Sequence, residues 1–410
     1  MRILQLMNKV PWPPKDGGAI ACINMTKGFA MLGHEVTVLC MNTSKHHVRI
    51  KDIPSNIRNR AEFRLVEVPA SISWVEAALN LLFSRLPYNA QRFISDDFSM
   101  ELIKLLTEKS FDIIQLEGLY LCPYIPVIRK YSDALITYRA HNIEYEIWER
   151  TAKLSKGFRS KYLRNLSKRI KQFEISYLNQ YDILIPITDR DGLILDELGN
   201  SKPRHTSQTG IDFASLVPTA KKLEFPSLFH IGALDWAPNQ EGLIWFFNHC
   251  WAKIKSENPQ LKFYLAGRNA PEWFERIIKL DGVEYLGEIN DAYDFINSKA
   301  IMVVPLFSGS GMRIKIIEGM ALGKPIVTTD IGTEGIPTQN GNNILIANDA
   351  NQFIEAISRL INDRALSDQI GKNAIGFIQE KFDNLSQAGA LVDFYRQHIH
   401  SKQLKTGEQN

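Results

Sequence analysis

Short apolar runs alternate with helix-period segments along this chain, and the alternation happens twice. The runs 3–7, 36–41, 63–68, 111–116, 134–138 and 182–187 form a first series, with helical patterns such as 19–32 and 97–107 between them. A second series follows at 227–231, 261–266, 283–286, 300–304, 325–328 and 343–346, separated by the patterns 241–255, 273–279 and 312–322. Parallel strands need a long crossover, usually a helix, so this alternation predicts α/β architecture with doubly wound parallel sheets. A chain of 410 residues exceeds one compact core, and two domains are expected. The polar stretch 201–226, with Pro203, Pro218 and Pro226, separates the series. The expected division is 1–205, 206–384 and a last segment 385–410, with both halves Rossmann-like. Open α/β sheets bind ligands outside the carboxyl ends of their strands, so a cleft between the halves is the expected site.

Composition narrows the partners. A net charge of +3 gives no whole-molecule field for nucleic acid, and none is expected as a partner. Cys22, Cys40, Cys122 and Cys250 are scattered, with no C-x-x-C pair and no histidine at metal-ligand spacing. This pattern predicts neither a disulfide framework nor a metal site. The first residues lack the features of a signal peptide, and no apolar stretch reaches the roughly 18 to 20 residues of a spanning helix. A cytoplasmic protein is expected, at most peripheral on the inner face of a membrane. Arg150, Lys153, Lys156, Arg159, Lys161, Arg164, Lys168, Arg169 and Lys171 form a basic patch, and Leu154, Phe158, Tyr162, Leu166, Ile170 and Phe173 recur at nearly every fourth position. The pattern predicts one basic amphipathic helix over 150–173. Such a helix either docks on anionic lipid or presents a solvated face over the first domain.

Several motifs bear on chemistry. Asp16-Gly17-Gly18 follows the first strand and precedes a helix; glycines there allow close backbone approach, and helix amides favour an anion. The block 303–325 is richer. A buried strand runs into a loop containing Gly309, Ser310, Gly311 and Met312, and a helix follows with Arg313, Lys315 and Glu318. Free amides, a helix dipole and two cations suit a diphosphate, and Glu318 can accept hydrogen bonds from ribose hydroxyls. The alternative is a solvated helix whose charges pair with each other. The spacing from Gly319 to Gly323 is too short for a P-loop, and Pro325 stands where Ser or Thr would ligate magnesium. Asp189-Arg190-Asp191 follows a strand and opens a helix, so Thr188 or Asp189 is expected as an N-cap rather than as part of a metal site. His141, just past a strand end, suits proton chemistry or a hydrogen bond to a sugar or phosphate; a structural histidine is the equal alternative.

Together these segments resemble the family 4 glycosyltransferases, part of the glycosyl transferases group 1. The resemblance covers nearly the whole chain and is carried by 16–18, 139–144, 209–212 and, most specifically, 309–323 with 328–335. Residues 230–239 and 265–268, which include Gly232, Asn239 and Gly267, are similar to the first donor-domain segments of one branch. The resemblance implies a GT-B fold, a last helix crossing back to the first domain, and retaining, metal-independent transfer without a cofactor. The implied donor is a nucleotide-diphosphate sugar, UDP- or GDP-linked, and the implied acceptor is a glycan or lipid-linked glycan of bacterial surface polysaccharide assembly. It places Gly17 and Gly18 near the donor phosphates or acceptor, His141 on the reacting sugar and Glu318 on the donor ribose. Arg313 and Lys315 are the diphosphate candidates. The chain departs from the family pattern at Ser310, which stands in place of a first glutamate, and within 232–242, which lacks the usual Arg and Lys. A nucleotide-sugar epimerase of the same architecture and a non-catalytic nucleotide-sugar binder are the rival readings.

Overall fold

The structure, a computed structural model, describes the chain apart from Lys15 and residues 214–215, 217–222, 310–311 and 408–410. It divides into two compact units, Met1–Gly210 with Asn384–Asn410, and Ile211–Asp383.

The first unit is built on β1 (Arg2–Met7), β2 (Glu35–Asn42), β3 (Glu62–Glu67), β4 (Ile113–Glu117), β5 (Leu135–Ala140) and β6 (Ile183–Pro186), in the order β3-β2-β1-β4-β5-β6. The second holds β7 (Glu224–Ile231), β8 (Phe263–Ala266), β9 (Val283–Gly287), β10 (Lys299–Val304), β11 (Ile326–Thr328) and β12 (Leu345–Ile346), in the order β12-β11-β10-β7-β8-β9. Neighbouring strands pair in parallel in both sheets. Each expected apolar run becomes a strand, with ends displaced by a few residues. The runs are continuous rather than alternating because helices cover both faces of a parallel sheet: all five residues of β4 are buried.

The helices that position chemistry are α1 (Gly17–Met31), α2 (Trp74–Phe83), α3 (Glu144–Leu154), α4 (Gly157–Tyr177), α5 (Ala237–Phe246), α6 (Ala292–Ser298), α7 (Ile314–Ala321) and α8 (Asn384–Gly407). In the first unit, Phe98, Leu102, Tyr124, Leu166 and Ile170 fill one face of the sheet. Ile23, Phe29, Leu391 and Tyr395, from α1 and α8, fill the other. The two helices meet closely at Gly28, where an added Cβ would lie 2.7 Å from Ala388 Cβ. In the second unit, Phe246, Trp251, Phe263 and Phe353 are the large core residues.

One expectation needs correction. The single basic helix over 150–173 is two helices, α3 and α4, packed on each other. The break falls at Gly157, whose φ of +63° lies in the left-handed region that only glycine enters without strain. Leu166, Ile170 and Phe173 of the expected stripe are buried, but Phe158 is 91% exposed. The Asp-Arg-Asp segment is the first turn of the helix Asp189–Glu197, where Thr188 Oγ1 accepts from the Asp191 N–H at 3.1 Å.

Candidate active site

Each sheet reverses its strand order once, between β1 and β4 in the first unit and between β7 and β10 in the second. Loops leaving two such strands diverge, and the crevice they leave is where open α/β sheets hold ligands. Both sets of candidate residues lie at these points.

In the second unit, β7 ends on His230 and Ile231. The His230 ring is fully buried, and its Nδ1 lies 2.8 Å from the Val303 carbonyl oxygen on β10. A carbonyl only accepts, so Nδ1 carries the proton and Nε2 presents a lone pair. That lone pair faces Lys315 Nζ on α7, 3.1 Å away. Lys315 Nζ also donates to Asn239 Oδ1 at 2.7 Å, and the other end of that amide donates to the Ala233 carbonyl at 2.8 Å. Burial, and then the neighbouring Arg313 cation, bring Lys315 down to about 7. Burial and the Lys315 charge hold His230 well below the ordinary histidine range.

Glycines make this arrangement possible. A Cβ on Gly267, just past β8, would sit 2.0 Å from the Gly232 carbonyl oxygen, and one on Gly232 would meet Lys315 Nζ at 3.1 Å. Gly309 has φ +108°, and its backbone passes beneath the Trp236 ring and the Arg313 guanidinium. That guanidinium lies 5.8 Å from the Trp236 ring centroid, within the range of a cation–π contact. Arg313 is 5% exposed. The helix expected from 312 starts at Ile314, with Arg313 as its N-cap residue, so Arg313 stands ahead of the helix and not on it. Met312 is partly buried beside it, while Ser310 and Gly311 lie outside the described residues. Glu318, one turn beyond Lys315, accepts a hydrogen bond from the Tyr293 hydroxyl of α6 at 3.0 Å. Burial pushes its carboxyl up to about 7, against the opposing effect of Tyr293. Gly232, Asn239, Gly267, Gly309, Arg313 and Lys315 are thus brought together at one reversal point. The sequence reading did not single out His230, Trp236 or Tyr293 as individual functional residues.

In the first unit, Glu117 ends β4 with its side chain fully buried. One carboxylate oxygen accepts from Gln5 at 2.9 Å and from Gln115. The other faces His141 Nε2 at 2.8 Å and Arg139 Nη1 at 3.3 Å. Burial alone would raise this carboxyl, but Arg139 and then His141 bring it down to about 2. It is therefore ionised and acts as an acceptor, which puts the His141 proton on Nε2 and leaves Nδ1 as a lone pair. Nδ1 is buried and has no hydrogen-bond partner among the described residues. Burial lowers the His141 pKa, so the neutral ring can accept a proton or hydrogen bond through Nδ1. Gly17 and Gly18 open α1, where Asp16, bridged to Lys9 at 2.7 Å, already takes the Ala19 N–H.

Cys22 Sγ, Glu117 and His141 offer ligand atoms within 4.8 Å of one another, a set that spacing along the chain does not reveal. The fully buried Arg139 beside Glu117 already supplies the positive charge this carboxylate requires. The trio therefore fits a proton and hydrogen-bond network better than a cation site.

Residues 225–363 match the family model described as Glycosyl transferases group 1. That stretch matches the group 1 family, and the whole chain has the GT-B fold. Over 97% of its length and 100% of the other chain, its backbone matches HepE of Anabaena, solved in complex with UDP and glucose, with a TM-score of 0.69 at 14% identity. It is 29% identical over 170 residues to an uncharacterized 44.6 kDa protein in the cps region of Klebsiella pneumoniae, covering 38% of this chain and 43% of that protein. It is 23% identical over 236 residues to the lipopolysaccharide core biosynthesis mannosyltransferase LpcC of Rhizobium leguminosarum bv. viciae, covering 53% of this chain and 65% of LpcC. The chain thus spans less than two thirds of the length of the Klebsiella and Rhizobium relatives. The matched segment lies within the second unit and contains Arg313, Lys315 and Glu318.

Proposed function

We propose that this chain is a retaining glycosyltransferase that moves a sugar from a nucleotide-diphosphate sugar to a glycan or lipid-linked acceptor in bacterial surface polysaccharide or glycolipid assembly. One observation carries the reading: the two cations Arg313 and Lys315 meet Gly232, Asn239 and Gly309 where β7 and β10 diverge, with the Glu318 carboxylate one turn further along the same helix. Glu318 accepts the ribose hydroxyls, and Arg313 with protonated Lys315 takes the diphosphate. As the bond from the anomeric carbon to the diphosphate oxygen breaks, negative charge grows on the leaving group, and fixed cations stabilise that charge most in the transition state. The acceptor oxygen bonds the anomeric carbon on the face the diphosphate leaves, and its proton departs with the diphosphate. His141 contacts the reacting sugar through Nδ1, and the loop amides around Ser310 serve where a family glutamate is missing. No metal is required in this scheme. The UDP bound in HepE and the role named for LpcC support a UDP- or GDP-sugar donor and a surface-glycan acceptor.

Ligands that bind only the folded state raise its melting temperature according to affinity. A thermal-shift screen against UDP-, GDP-, ADP-, CMP- and dTDP-sugars, with and without magnesium, should show a metal-independent shift with one nucleotide class that disappears in Glu318→Ala. A shift that needs magnesium, or one unchanged in Glu318→Ala, would overturn this assignment.

A further inference from the structure

Helix α2 is turned inside out. Among its described side chains only Ala77 and Asn80 are buried, while Val75 is 70%, Leu79 52%, Leu82 73% and Phe83 82% exposed, and Ile72 just ahead of it is 69% exposed. A ten-residue amphipathic helix ordinarily buries its apolar side. Here polar contacts hold it in place instead. Asn80 Nδ2 donates to the Leu86 carbonyl at 2.9 Å. Arg169 of α4 donates through Nη2 to the Ser84 carbonyl at 2.6 Å and the Leu86 carbonyl at 2.5 Å. The guanidinium thus fastens the end of α2 to the basic helix.

The charges flanking this apolar face are mainly cationic, the exposed Glu76 on α2 accepting from the Tyr88 hydroxyl at 3.1 Å. Arg85 directly follows α2 and is exposed, as are Lys161, Arg164 and Lys168, which recur along one stripe of α4. Phe158, 91% exposed, lies three turns before Arg169 on the same flank of α4. Contiguous exposed apolar side chains of this extent mark an interaction surface. A second copy of the chain would bring this cationic rim against itself, and like charges would repel. A surface that is apolar beneath and anionic on top satisfies both parts at once.

We propose that α2 is a peripheral membrane anchor, with Ile72, Val75, Leu79, Leu82 and Phe83 entering the acyl boundary of an anionic bilayer while Arg85, Lys161, Arg164 and Lys168 meet the headgroups. Apolar burial and electrostatic attraction act together in such anchors, and neither alone gives firm binding. The expected membrane contact of the basic helix is thereby reassigned: α4 is the charged collar and α2 the inserted element. Its purpose rests on the reading above, since an anchored enzyme meets a lipid-linked acceptor in the plane where that acceptor diffuses.

Co-sedimentation of the full chain with vesicles of phosphatidylcholine plus phosphatidylglycerol, and of phosphatidylcholine alone, tests this directly. Binding is expected to the anionic vesicles and to weaken with salt. Leu82→Glu with Phe83→Glu should lower it by about tenfold or more, with an unchanged melting temperature because both side chains are exposed. Lys161→Gln, Arg164→Gln and Lys168→Gln together should weaken binding and flatten its salt dependence. Failure to bind anionic vesicles, binding indifferent to the Leu82 and Phe83 changes, or self-association through α2 in their place would overturn the anchor. Nucleotide-sugar thermal shifts on the same preparations separate the two proposals: an intact shift without vesicle binding removes only the anchor, and vesicle binding without any shift removes only the donor reading.

Discussion

Replacing Lys315 with methionine keeps the length of the side chain and removes an ammonium group that burial disfavours. Its pKa falls from the usual 10.5 to about 7, a difference of about 3.5 pH units, or about 5 kcal/mol at most. Because the folded value is depressed, the unfolded chain holds the extra proton between pH 7 and 10.5, and wild-type stability rises with pH across that window. The full penalty therefore applies at pH 6, and about 2 kcal/mol of it remains at pH 9. Methionine removes the penalty but strands His230 Nε2 and Asn239 Oδ1, which accept from Lys315 at 3.1 and 2.7 Å, at a cost of about 3 kcal/mol. The balance is a variant about 2 kcal/mol more stable than wild type at pH 6 and about 1 kcal/mol less stable at pH 9. For a unit of this size the gain at pH 6 is a rise of about 4–8 °C in melting temperature. Thermal unfolding followed by circular dichroism at both pH values measures it, and the donor-induced shift should shrink in the same variant. A wild-type-to-variant difference that is the same at pH 6 and pH 9 would refute the claim that the ammonium is held against burial.

Donor affinity should peak near pH 7, since Glu318 must be ionised and Lys315 protonated and both titrate at about 7; in Glu318→Gln, isothermal titration calorimetry should show weaker binding without the acid limb. Arg313→Ala should fold and lower turnover by orders of magnitude with the best donor, and near-normal turnover in a radiolabelled-sugar transfer assay would remove Arg313 from the diphosphate site. Glu117→Gln leaves Arg139 buried without its counter-charge, and chemical denaturation should show a loss of about 3–5 kcal/mol at neutral pH. Because the wild-type carboxyl is depressed to about 2, its contribution fades as pH falls from the ordinary carboxylate range through 2, so the gap between the two proteins should narrow in acid.

The two sheets were legible because parallel strands buried on both faces read as plain apolar runs, as Ile113 to Leu116 and Ala300 to Val304 do. Gly309 of the glycine-rich stretch in the second unit was legible as a special backbone position, and its φ of +108° is one that few other residues adopt. Other features depend on pairing that no local pattern records. Glu117 meets Arg139 because β4 and β5 pair with those two residues in register, and His141 follows Arg139 on the next turn of chain. His230 looks like any histidine in a strand until Val303 and Lys315 are placed on either side of it. Tyr293 sits in no motif, and its contact with Glu318 joins two helices, α6 and α7, that are well separated in sequence. The apolar row of α2 was not read from the sequence at all, and periodicity by itself does not say whether such a row turns inward. The same limit hid the break at Gly157, a single residue inside an otherwise regular helical spacing.

The junction at which the chain leaves the first unit and comes back to it has a consequence for how the protein is made. Asn24 Nδ2 donates to the Gly210 carbonyl at 2.8 Å, and Asn384 Nδ2 donates to the Asn24 carbonyl at 2.8 Å. One asparagine of α1 thus ties together two points separated in sequence by the entire second unit. Beyond the junction, the Tyr395 hydroxyl donates to Gln115 at 2.7 Å, and Gln115 in turn donates to Glu117. On the ribosome, domains fold in order as they emerge, and here the six strands of the first unit are all translated before Asn384 and Tyr395 exist. A nascent first unit therefore waits, with α1 uncovered and the support behind Glu117 and His141 incomplete, until the inserted domain has been synthesised. Glu117 and His141 reach their final surroundings only when the last helix arrives, so a chain stalled before residue 384 should lack a finished first unit as well as its partner helix.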